Sequence, residues 1–136
     1  MSDELWTVWE DWEAGYPEPP SRIQMRIKTS DGLLTEFCVQ LEYNMTSTVP
    51  ERSPFWMQVA RFDHNVALYR GHDVRHEGLH MDIYGNGEKV DVLHDFPEVP
   101  LEEAPKWCRG FLEAKREQLL QNFEQRIGAP RRVYDS

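Results

Sequence analysis

Between residues 23 and 43 apolar and polar positions alternate with a period of two. Ile23, Met25 and Ile27 interleave with Gln24, Arg26 and Lys28, and Phe37, Val39, Leu41 and Tyr43 with Glu36, Cys38, Gln40 and Glu42. That period sends successive side chains to opposite faces, so each run predicts a strand with one buried face. Ser30, Asp31 and Gly32 supply turn residues between them, and the pair reads as a β-hairpin. Residues 55–62 are apolar on both sides, Met57 and Val59 against Trp56, Ala60 and Phe62, which predicts a strand in the middle of a sheet. Leu79, Met81 and Ile83 alternate with His80, Asp82 and Tyr84 as a fourth strand. Gly85, Asn86 and Gly87 turn the chain into a short fifth at Val90, Val92 and Leu93.

Past Pro97 and Pro100 the period changes to about 3.6. Leu101, Ala104, Cys108, Phe111, Leu112, Leu119, Phe123 and Ile127 fall on one stripe, and Gly128 and Pro130 end it. The expected fold is α+β: a four- to five-stranded, mainly antiparallel sheet packed by one long C-terminal helix, which buries both apolar surfaces at once. At the other end Leu5, Trp9 and Trp12 share a side at helical spacing, so Ser2 to Trp12 reads as one or two helical turns capped by Ser2. Gly15 to Pro20 reads as a Pro-rich joint. The chain thus divides into a Trp-rich segment with its joint, residues 1–20, and a single α+β domain, residues 21–136. The segment either covers the sheet or docks on a partner.

Charge sharpens that division. Residues 1–20 contain six acids and no Lys or Arg, which is −6 of the chain's net −9. A duplex-binding protein shows a basic surface, so any contact with nucleic acid must be local and salt-sensitive. With 40% hydrophobic residues and five tryptophans, the 136-residue chain suits one folded domain. Cys38 and Cys108 lie seventy residues apart, neither in a CxxC, and read as buried free thiols. No stretch approaches the roughly 20 apolar residues that span a membrane, and the opening lacks secretory features, so a cytoplasmic protein without membrane contact is expected.

The candidate chemistry is concentrated in residues 61–82, RFDHNVALYRGHDVRHEGLHMD. This stretch holds His64, His72, His76 and His80, four of the five histidines, threaded with Arg61, Arg70, Arg75, Asp63, Asp73, Glu77 and Asp82. Metal-free acid–base work on a phosphodiester needs a proton acceptor and donor near neutral pH, and fixed cations for the developing charge. His72, His76 and His80 suit the first role and Arg61, Arg70 and Arg75 the second. Tyr69 or Tyr84 could stack a base. Arg61 and Asp63 would stand rigidly at a strand exit. The spacing of four between His72, His76 and His80 also suits a metal on one helix face. Gly78 and the alternation from Leu79 interrupt such a helix, however, and in extended chain His76 and His80 would stand roughly 13 Å apart. A metal would then have to draw on His72 with His76 or Asp73, plus His80 or Asp82; the expectation is no resident metal or other cofactor. In the plainest alternative, Asp63, Asp73 and Glu77 simply pair with the arginines.

The order of a hairpin, IQMRIKTSDGLLTEFCVQLEY, a strand ending WMQVARFDHN, a His-rich loop, GHDVRHEGLHMD, and a closing charged helix resembles the TumE-type toxins of bacterial and archaeal toxin–antitoxin modules. Those proteins also show an Arg-x-Asp strand end followed by His-rich residues. The likeness covers residues 22–95; the Trp-rich head falls outside it, and the run from Asp63 to His72 is longer than the pattern. It implies that Arg61, Asp63, His72, His76 and His80 form the polar cluster of a growth-inhibiting or nucleic-acid-directed protein with a cognate antitoxin partner. Two functions are thus expected: a toxin-like enzyme acting on RNA or a nucleotide, or a non-enzymatic module that binds a partner or forms a homodimer through the head or the long helix.

Overall fold

A computed structural model describes residues 4–14, 19–46, 55–66 and 73–128. Its elements are β1 (Glu4–Trp12), β2 (Ser21–Ser30), β3 (Leu33–Asn44), β4 (Trp56–His64), α1 (Val74–Glu77), β5 (Met81–Gly85), β6 (Glu88–Leu93) and α2 (Ala104–Ile127). The strands form one antiparallel sheet in the order β1-β2-β3-β4-β5-β6, a meander in which each strand pairs with its neighbours in sequence. Two tight turns make this possible. Asp31 and Gly32 (φ 53° and 79°) join β2 to β3, and Asn86 and Gly87 (φ 51° and 83°) join β5 to β6. Positive φ at both central residues matches the twist of the flanking strands.

The sheet has six strands, not four or five, because the head is a strand and not a helix. β1 pairs with β2 at all nine positions, from Glu4 opposite Ser30 to Trp12 opposite Arg22. An isolated helix of that length is marginal in water, whereas the strand gains a complete ladder. Contacts with α2 add to it: Arg116 donates to the Asp11 carboxylate (3.1 Å) and carbonyl (2.8 Å), and the Arg109 guanidinium lies 4.7 Å from the Trp9 ring.

α2 covers one face of the sheet. Ile23, Met25, Phe37, Val39, Leu41, Tyr43, Ala60, Phe62, Met81 and Ile83 point at it and are buried against Ala104, Cys108, Leu112, Leu120 and Phe123. Phe62 sits in an aromatic cluster, its ring 5.2 Å from Phe96, 6.2 Å from Trp107 and 5.8 Å from Phe111. Both cysteines are free and buried, and burial pushes both thiols up.

One irregularity decides where the chemistry goes. Leu41 pairs with Ala60 but Glu42 pairs with Gln58, so Val59 is an extra residue in β4. Such a bulge reverses the facing of everything beyond it. Met57 lies toward the helix, and strict alternation would send Val59, Arg61 and Asp63 the same way. With Val59 inserted, Ala60, Phe62 and His64 face the core, while Arg61 and Asp63 emerge on the other side. The apolar residues on both sides of this segment therefore record a change of phase within one strand as well as its central position.

Candidate functional site

On the helix-free face Arg61 stands between Gln40 of β3 and Asp82 of β5, and Asp63 stands opposite Cys38. Arg61 donates from Nε to Asp63 Oδ2 at 3.0 Å. Asp63 and Asp82 are both buried. Lys89 of β6 approaches Asp82 Oδ2 at 3.3 Å, and Asp82 Oδ1 is buried without a hydrogen bond among the described residues. Tyr84 follows on the same face, where burial and the nearby Asp82 push its phenol up against the opposing effect of Arg61. Two carboxylates thus hold two cations within a few strand positions of one another.

The row continues into a hollow of about 380 Å³ lined by Glu77, His80, Asp82, Lys89, Val92 and His94. His80 immediately precedes β5 and is buried, and its ring lies 5.7 Å from that of His94. Asp82 joins the two halves, being both the cross-strand neighbour of Arg61 and a wall of the hollow. His94 and Lys89 lie outside the band of residues 61–82 that the sequence singles out. Their signal was the turn at Asn86 and Gly87, since folding the chain back there sets Tyr84 opposite Lys89 and brings the residues after β6 toward His80.

The other candidates are distributed differently. His76 is 82% exposed at its side chain, lies 3.7 Å from Asp73, and lines a separate hollow of about 700 Å³ with Arg75, Leu79, Glu98 and Pro100. Arg75 is bound to Asp73, donating at 3.1 and 3.2 Å, and this pairing holds the Asp73 carboxyl below its usual range. Asp73 also accepts the Arg75 backbone N–H at 3.0 Å and caps α1. Arg75 and Asp73 thus organise a short helix, apart from the Arg61 cluster. Tyr69, Arg70 and His72 lie outside the described residues.

His64 belongs to the core. It is 1% exposed, stacks on Phe37 at 6.0 Å, and accepts the Val74 N–H at Nδ1 over 3.0 Å. Burial pushes its pKa down, with Asp73 opposing. A neutral imidazole is the form that can accept this bond. Among the described residues no three His, Cys, Asp or Glu side chains are placed to share a metal ion.

Fold and site together define a small α+β meander protein, closed by a helix on one face and carrying a titratable polar row on the other. Residues 9–129 match the family described as Domain of unknown function (DUF7718), and the chain belongs to that family. The match starts within β1, at Trp9, and ends just past α2, so it takes in β2 to β6, the helix and the last four residues of β1. No curated protein and no solved structure matches the chain. No helix among the described residues is long and apolar enough to cross a membrane.

Proposed function

We propose that the protein acts on RNA or a nucleotide at the helix-free face, by metal-independent acid–base chemistry, in the growth-inhibiting role that the likeness to TumE-type toxins implies. The observation that carries this reading is the imidazole pair His80 and His94, 5.7 Å apart at a hollow shared with Lys89 and linked through Asp82 to Arg61. One imidazole takes the proton of an attacking hydroxyl and the other returns a proton to the departing oxygen, which requires the two in opposite protonation states. Arg61 and Lys89 offset charge on the phosphoryl oxygens. Among the described residues Arg61 donates to Asp63 through Nε, and its Nη donors are the ones offered to an anion. The net charge of −9 confines the contact to this locality and makes it salt-sensitive. The role belongs in the cytoplasm, with a cognate antitoxin protein as partner.

The test is incubation of end-labelled single-stranded RNA with the protein in excess chelator. The expected result is cleavage that His94→Asn lowers about 100-fold or more, the usual scale of general acid–base catalysis. Because His94 is exposed, its substitution should leave the melting temperature unchanged. Cleavage that survives in His94→Asn and in His80→Asn would refute the assignment. A non-enzymatic interaction module is favoured by a different observation, the exposed apolar side chains of β1, which lie away from this hollow.

A further inference from the structure

β1 is an outer strand: among the described residues it pairs with β2 alone. Its other edge presents a row of backbone donors and acceptors over nine residues, with no bulge in the β1–β2 register to twist it away. Leu5 (65%), Trp6 (54%), Val8 (54%) and Trp12 (44%) are large, apolar and exposed. Folded proteins guard such edges with lysines, prolines, bulges or free charges. The charges on β1 are already engaged. Glu4 meets Lys28 at 3.4 Å, Glu10 accepts from Trp12 and Gln24 at 2.7 and 3.1 Å, and Asp11 is held by Arg116 at 3.1 Å.

We propose that β1 pairs antiparallel with β1 of a second copy, about a two-fold axis at Val8, so that two six-stranded sheets become one. Identical antiparallel strands make a self-complementary contact, and the pairing closes at two copies. An axis at Val8, the midpoint of Glu4–Trp12, pairs all nine residues. It sets Trp6 opposite Glu10, Leu5 opposite Asp11 and Glu4 opposite Trp12, so no acid faces an acid. Moving the axis by one residue to Thr7 would set Glu4 against Glu10. At Val8 the two valines meet, with both Trp6 rings in reach as diagonal neighbours. The opposite sheet edge, β6, is a poorer partner for β1. It presents the acids Glu88 and Asp91 to a strand that carries three of its own, its Lys89 being paired with Asp82, and a β1-to-β6 contact is head-to-tail, the kind that builds rings or filaments.

Each protomer carries −9, so the copies repel at long range and salt screens the repulsion. The dimer therefore tightens as salt rises, the opposite of what binding to RNA does. Sedimentation of the full chain at about 50 and about 500 mM salt, spanning Debye lengths of about 14 to 4 Å, tests this. The expected outcome is a monomer–dimer equilibrium that shifts toward dimer with salt. Val8→Lys, which places two ammonium groups at the axis, should weaken it at least tenfold. Val90→Lys, on the far edge, should leave it unchanged, and Val8→Cys should give a disulfide-linked dimer on mild oxidation. A chain that stays monomeric throughout overturns the proposal. So does a dimer indifferent to Val8→Lys, or protection of β1 amides from exchange that appears only when another protein is added.

Discussion

Replacing His64 by Leu and by Asn separates the two jobs of one buried side chain. Leucine keeps much of the bulk against Phe37 but leaves the Val74 N–H, itself buried, without the acceptor it now has at 3.0 Å. An orphaned buried donor costs about 1–3 kcal/mol. Asparagine places an oxygen near the position of Nδ1 and keeps the bond, losing instead the ring atoms that stack on Phe37; that cavity costs about 1–2 kcal/mol. For a chain of this size 2 kcal/mol moves the melting temperature by roughly 6–10 °C. The two variants part company in their pH dependence. Burial holds His64 below its ordinary value of 6.5, so on acidification the unfolded chain takes up the proton first. The imidazole's contribution is fully present above 6.5 and is lost as pH falls through that value toward the folded one. Urea midpoints at pH values from about 8 to about 5.5, with constant m, measure the loss. The native chain should lose stability over that range more steeply than either variant, since the remaining histidines contribute equally to all three. Equal slopes in all three proteins would refute the reasoning, as would a leucine variant as stable as the native chain at the alkaline end.

Deleting Val59 removes the bulge while Ala60, Phe62 and His64 go on alternating inward from Met57, so Arg61 and Asp63 keep their face; the expected result is a native-like near-UV circular dichroism spectrum at a cost of about 1–3 kcal/mol by urea unfolding, the same range as for Val59→Ala, and a lost spectrum would refute the phase assignment. Arg61→Met takes the cation from a buried carboxylate. Because Arg61 is a quarter exposed, the expected cost is about 1–3 kcal/mol, below that of a fully buried pair. Adding Asp63→Asn should recover part of it, and a double-mutant cycle with no coupling would show the pair to be idle.

How much of this was legible beforehand differs from element to element. β2, β3, β5 and α2 announce themselves because their period follows from local geometry, and the turns at Asp31-Gly32 and Asn86-Gly87 carry residue types suited to positive φ. β1 is ambiguous. Leu5, Trp9 and Trp12 suit a helix, Trp6, Val8 and Glu10 suit a strand, and it is the ladder with β2 and the reach of Arg109 and Arg116 from α2 that select the strand. The 3.6-residue period puts Leu119 on the inward stripe, and it is partly buried against the core, while its neighbour Leu120 is the one fully buried.

The candidate site divides along the same line. A dense band of titratable groups in residues 61–82 could be seen in the sequence alone, since residue type is all it required. Which of those groups meet could not. His64 and His80 are the same residue in similar alternating surroundings, yet one is a core acceptor for Val74 and the other lines a hollow with His94. The difference arises from Val59, whose insertion is visible only against β3, and from the register that folds β6 back on β5. Local periodicity specifies an element, because each residue's neighbours along the chain are enough to define it. The face on which a side chain emerges is a property of the pairing between strands, and only the tertiary structure contains that.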